Sequence, residues 1–265
     1  TTTTNSDLAN LDIATDTAAL AETETVPSND DDYVENYSSS STIYITYNGS
    51  SAESNGTVPG VSVDIDGADV TVTSTAAGVN YVLSGTTDEG TFKMATGTDD
   101  KKFRLTLAGV NINNSDGPAI NIQTGKRVYI VAEQGTTNRL SDGGSFASST
   151  EDQKGTLFSE GQLLFSGKGK LTVQAKAKAG IASDDYILIR PNTNIAVTAT
   201  TGNGIKCNDG IDIRGGVVNV EVSGAAAKAL STDGHYTQSG GRVTAVTTGA
   251  AVYDQDEKDV SGAAG

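Results

Sequence analysis

A short motif returns with a fixed period. Leu157-Phe158-Ser159-Glu160, Ile181-Ala182-Ser183-Asp184, Ile205-Lys206-Cys207-Asn208 and Leu230-Ser231-Thr232-Asp233 follow one another at spacings of 24, 24 and 25 residues. Six residues after each start lies a second strand-like pair: Leu163/Phe165, Ile187/Ile189, Ile211/Ile213 and Tyr236/Gln238. A third pair completes each unit: Leu171/Val173, Ile195/Val197, Val218/Val220 and Val243/Ala245. Three short strands cannot bury a face by themselves, whereas stacked units share one continuous core. The repeat therefore predicts an all-β chain wound as a parallel β-helix of roughly eight coils. With strands about 4.8 Å apart the rod would be on the order of 40 Å long. A β-sandwich, the competing all-β fold, leaves the period unexplained.

An earlier unit, Ile120/Ile122 then Val128/Ile130, joins the series if residues 141–153 form an inserted loop. Before it, alternation at Ile43/Ile45, Val61/Val63/Ile65, Val70/Val72 and Tyr81/Leu83 predicts half-buried strands. Gly49, Gly60, Gly67, Gly78, Gly85 and Gly90 punctuate them as turns. Residues 42–265 thus read as the β-helix domain. Residues 1–41 read as an acidic leader with scattered anchors at Leu8, Leu11, Ile13 and Leu20, and a weak helix signal near residues 16–21. A polar leader frays unless something holds it, so this one is expected to be extended or docked, on its own body or on a neighbouring molecule.

Charge is unevenly spread. Residues 1–92 carry 15 of the 33 acidic groups and no Lys or Arg, and the first basic residue is Lys93. The remainder holds 18 acids and all 18 bases, so the net charge of −15 belongs to the head. An acidic head on a neutral body disfavours nucleic acid as a partner and points to cation binding or head-to-tail attraction. Cys207 is the single cysteine, so no intrachain disulfide forms. No apolar run approaches the ~20 residues of a membrane span. The start at Thr1-Thr2-Thr3-Thr4 shows no signal peptide and is expected to follow a processed targeting segment. Richness in Thr, Ser, Asn and Gly fits a secreted, extracellular or cell-surface protein.

Further runs carry a family likeness: Tyr81-Val-Leu-Ser-Gly85, Leu105-Thr-Leu-Ala-Gly-Val-Asn-Ile112, Gly117-Pro-Ala-Ile120, Thr137-Asn-Arg-Leu-Ser-Asp-Gly143, Leu157-Phe-Ser-Glu-Gly-Gln-Leu163, Gly180-Ile-Ala-Ser-Asp-Asp185 and Gly204-Ile-Lys206. Over about residues 60–250 the chain resembles the carbohydrate-binding domain family of clostridial and related surface proteins. The resemblance implies a right-handed parallel β-helix, shaped like polysaccharide lyases, that binds calcium and acidic, pectin-like polysaccharide. The chain departs from that pattern where an Asp usually precedes the Gly-Ile step: Ala179, Asn203 and Ala227 stand there. Those changes remove carboxylates from one edge.

Stacking the repeats places Glu160, Asp184, Asn208 and Asp233 at one turn position, with Asp185 and Asp209 beside them. Such a ladder can supply several of the 6–8 oxygens that Ca²⁺ takes, although Asp and Asn also favour turns for their own sake. The insertion offers a second calcium candidate in Asp142, Glu151 and Asp152, and Asp30-Asp31-Asp32 a third. Lys176 and Lys178 share one strand face, and Arg190 and Arg214 are expected to stack on the outer surface, where they could meet uronate carboxylates. Solubility and edge protection are the plainer reading. Tyr186 and Tyr236, close in repeat register, could form a small stacking patch.

No catalytic constellation stands out. His235, in Asp233-Gly-His-Tyr236, has no nucleophile partner, and Lys206 near Asn208 and Asp209 is the only arrangement a lyase could use. The sequence thus predicts an extracellular, non-catalytic, calcium-assisted binder of acidic or cell-wall polysaccharide. Two alternatives are a filament subunit assembling head-to-tail through its leader and helix ends, where open strand edges template another chain, and a polysaccharide lyase.

Overall fold

The computed structural model describes residues 19–97, 99–254 and 259–261. Parallel strands stack as a β-solenoid of about 7 turns. Each turn visits three faces. The first is built by Asp69–Ser74, Thr91–Met94, Ile120–Ile122, Gly155–Ser159, Ala179–Ser183, Ile205–Cys207 and Leu230–Thr232. The second runs from the start of Phe103–Asn114 through Val128–Ala132, Leu163–Gly167, Tyr186–Ile189 and Gly210–Ile213 to His235–Gln238. The third runs from the end of Phe103–Asn114 through Thr137–Asp142, Lys170–Ala175, Asn194–Ala199 and Val217–Val222 to Arg242–Thr247. Phe103–Asn114 belongs to both, which makes the second and third faces one sheet.

The predicted interior column is present. Leu157 lies opposite Ile181, Ile181 opposite Ile205 and Ile205 opposite Leu230. It extends back through Ile120, Phe92 and Val70, and from Val70 to Ile205 every member is fully buried. Inward residues of the other faces close the same core.

Three expectations need correction. About seven turns form rather than eight, because the chain first folds into antiparallel pairs: Ser41–Asn48 with Ser51–Asn55, and Val61–Asp66 with Asp69–Ser74. Gly49 and Gly67, both at positive φ, make the tight reversals that parallel winding would not allow. The insertion begins at Gly143, since Ser141 and Asp142 still pair with Asn113 and Asn114. Gly85 marks a register shift inside a strand, not a turn.

The leader anchors Leu8, Leu11 and Ile13 lie outside the described residues. Ala19–Ala21 is a 3₁₀ turn, and residues 22–37 lie against the second face. Here the outward side chains of Tyr129, Val131, Leu164 and Leu188 are buried beneath Val34 and Tyr37 and beside Tyr186.

Candidate functional site

The outer surface of the first face is a ladder set by strand register. Thr71, Lys93, Asn121, Phe158, Ala182, Lys206 and Ser231 are successive partners along it, because each follows an inward-pointing core residue by one position. The insertion lies over its middle. Glu151 pairs with Lys93 and accepts from Asn121 Nδ2 at 3.2 Å. Gln123 Nε2 donates to the Asp152 carbonyl at 2.7 Å. A cavity of about 350 Å³ remains between insertion and face, lined by Asp69, Lys93, Asp116, Asn121 and Glu151 among others.

At the corner that ends the face, Ser159, Ser183, Cys207 and Thr232 are in register, so Glu160, Asp184, Asn208 and Asp233 follow one another as predicted. One carboxylate oxygen from each of Asp152, Glu160 and Asp184 falls within 4.8 Å of the others. Lys154, which sequence reasoning missed, crosses the face above the Phe158 ring (5.8 Å to its centre). Its Nζ reaches both Asp184 oxygens at 2.6 Å and Asp152 at 3.2 Å. The period held a signal for it: Lys154 stands 24 residues before Lys178. Burial, then repulsion from Asp184 and Asp152, raises the Glu160 pKa despite Lys154. Three carboxylates at a half-buried corner have the oxygen-only chemistry that suits Ca²⁺. The Lys154 ammonium is the positive charge now holding two of them, and a metal ion would take its place.

The other predicted ligands are dispersed. Asp185 accepts from the Tyr186 backbone N–H at 2.8 Å and from Gln162. Asp209 lines a separate cavity with Asp32, Asp212 and His235. Asp142 is fully buried and accepts from Thr156 Oγ1 at 2.6 Å, Lys176 N at 2.7 Å and Ala177 N at 3.1 Å. Burial raises its pKa and these three donors oppose the rise.

Of the predicted glycan contacts, Lys176, Lys178 and Lys206 are exposed. Lys178 Nζ donates to the Gln153 carbonyl at 2.6 Å and lies 5.1 Å from the centre of the Phe146 ring, which brings it to the insertion. Arg190 and Arg214 do occupy adjacent coils, following the paired Ile189 and Ile213, but they are not an open stripe. Arg190 is 6% exposed, held by Glu24 (3.0 Å) and Glu35 (2.6 Å) of the leader. Arg214 pairs with Asp212 at 2.8 Å and Asp32 at 3.6 Å. Tyr33 Oη accepts from Arg214 at 3.0 Å and donates to Glu24 at 2.7 Å. The Asp30–Asp32 run is likewise engaged: Asp31 pairs with Lys102 at 2.7 Å, and Asp32 with Arg127 at 3.2 Å. Tyr186 and Tyr236 form no patch. Tyr186 falls in the column of Gly210 and His235 and meets Asp32 and Arg127, whereas Tyr236 follows the inward residues Ile187 and Ile211. Tyr236 is exposed where the last described turn ends.

A family profile described as carbohydrate-binding domain-containing protein matches residues 66–264. A carbohydrate-binding domain-containing protein of Acetivibrio thermocellus is 30% identical over 141 residues, which is 53% of this chain and 42% of the relative. The match therefore spans less than half the length of that protein. Among solved structures, a gadolinium derivative of a polysaccharide lyase-like protein from C. thermocellum superposes with a TM-score of 0.57. It is 20% identical and the superposition covers 78% of this chain and 99% of the other, a likeness of fold. Among the described residues no helix is long and apolar enough to cross a membrane.

Proposed function

Since this chain belongs to the carbohydrate-binding domain-containing family, we propose that it is a secreted, non-catalytic binder of acidic, pectin-like polysaccharide that uses calcium. The glycan lies along the outside of the first face. Lys206, Lys154 and Lys178 meet its carboxylates there, and Asp152, Glu160 and Asp184 hold the ion beside it. The observation that carries this reading is the meeting of three carboxylates and a lysine at the corner of the first face, one coil from the exposed Lys206 and under an insertion that breaks the repeat. Carboxylates on protein and glycan repel one another, and a shared divalent ion converts that repulsion into a bridge. Lys154 holds Asp152 and Asp184 together when no ion is bound.

Isothermal titration with polygalacturonate, with and without a chelator, tests this. Binding heat that requires calcium and vanishes on Asp184→Asn supports it, and absence of heat in both conditions refutes it. Following the absorbance of unsaturated products in the same mixtures separates a binder from a lyase. A steady rise in that absorbance would replace the non-catalytic reading.

A further inference from the structure

We propose that the second face conceals another binding surface for a polycarboxylate chain, and that leader residues 22–37 are its resident pseudo-ligand, displaced when acidic glycan binds. This rests on the reading above for the class of ligand and on separate residues for the site.

The outside of a solenoid face is ordinarily polar, and the third face obeys this: Lys170, Thr172 and Gln174 point outward, as do Asn219 and Glu221. The second face does not. Tyr129, Val131, Leu164 and Leu188 point outward and are buried only because the leader covers them. Four cations around this apolar strip face the leader: Lys102, Arg127, Arg190 and Arg214. Each meets a leader carboxylate. Lys102 binds Asp31, Arg127 binds Asp32 and, at 3.9 Å, Asp31, Arg190 binds Glu24 and Glu35, and Arg214 binds Asp32. Hydroxyls complete the capture, with Tyr186 Oη donating to Asp32 and Tyr129 Oη donating to the Asp31 carbonyl at 2.6 Å. Spaced carboxylates held by arginine and phenol groups above apolar and aromatic surface are the contacts that a polyuronate would make, since its rings offer an apolar side and one carboxylate each.

The leader is also placed to leave. It joins the body through the exposed Ser38-Ser39-Ser40 segment, which leads into Ser41–Asn48. An intramolecular occupant with the chemistry of the ligand raises the threshold for binding, because it must first be displaced, and a long glycan with many carboxylates meets that threshold where a short one does not.

The test uses the whole chain and polygalacturonate. Hydrogen exchange of residues 22–37 is followed with and without the glycan, and binding is compared with that of E24Q/D31N/D32N/E35Q, which keeps the leader's bulk and removes its charge. The proposal expects faster exchange across 22–37 on glycan binding and an affinity about tenfold tighter for the variant, equivalent to about 1.4 kcal/mol of lost competition. Arg127→Met with Arg214→Met then removes that gain. If the unmodified chain binds glycan with leader exchange unchanged and the variant binds equally well, the leader is a structural cover and this proposal falls while the first-face reading stands. If neither chain binds, both fall.

Discussion

The guanidinium of Arg190 lies 4.4 Å from the centre of the Tyr33 ring, with Glu24 and Glu35 closing its two sides. Residue 33 comes from the acidic leader and residue 190 from the fifth turn, so this stack ties two regions that composition alone would separate. Removing the cation leaves the half-buried Glu24 without its charge partner, held by the Tyr33 hydroxyl alone. Arg190→Ala is expected to cost about 3 kcal/mol of stability, read as a lower urea midpoint. Arg190→Lys, which keeps the charge but loses the two-sided fork, should recover only part of it.

Asp142 is a strut and not a surface carboxylate. It joins Thr156, at the start of the next turn, to the backbone of Lys176 and Ala177, at the end of that same turn. Asp142→Ala strands the buried Thr156 hydroxyl and two part-buried backbone donors and should destabilise the chain by about 2 kcal/mol. Calcium-dependent glycan binding of the folded fraction should be unchanged, because the Asp152, Glu160 and Asp184 corner does not include it.

The interior column sets a tight limit on size. Ile205→Ala, which deletes a fully buried member, should cost about 2–5 kcal/mol by chemical denaturation. At the neighbouring Gly204 an added methyl would lie 2.1 Å from Val220 Cγ1 and 2.6 Å from the Ala229 carbonyl. Gly204→Ala is thus expected to destabilise by about 1–3 kcal/mol through overpacking, despite the general preference for alanine over glycine.

Two phenols where the leader meets the second face, one from each side, predict an alkaline limit. Burial lifts Tyr37 to about 12, and burial aided by Asp32 lifts Tyr186 to about 12. A raised phenol favours the protonated, folded state. Its contribution is complete below the ordinary value of 10.0 and is lost as pH climbs from there through about 12. The urea midpoint should therefore fall over that window, and Tyr37→Phe with Tyr186→Phe should flatten the fall. An equally steep fall in the double variant would contradict the assignment.

The winding of the chain was legible because interior positions tolerate only apolar side chains, and their recurrence at Leu157, Ile181, Ile205 and Leu230 is a direct image of the stack. The corner of Glu160 and Asp184 was legible for the same reason. The entry turns were less so, since antiparallel pairs and the shift at Gly85 break the period. The covered second face had left a signal that alternation alone does not read. Val128-Tyr-Ile-Val-Ala132, Leu163-Leu-Phe165 and Ile187-Leu-Ile189 are apolar without a break, which marks strands buried on both sides. Asp212 and Thr237 restore alternation where the cover ends. Nothing local told Arg190 from a surface arginine, because its burial comes from a segment more than 150 residues away.

The most direct measurement is a crystal structure of the chain with calcium and a galacturonate oligomer. An ion among Asp152, Glu160 and Asp184, with Lys154 swung aside and a uronate chain running past Lys206 outside the first face, is the predicted result. Glycan bound elsewhere with that corner unchanged, Lys154 still on Asp184, would contradict the account.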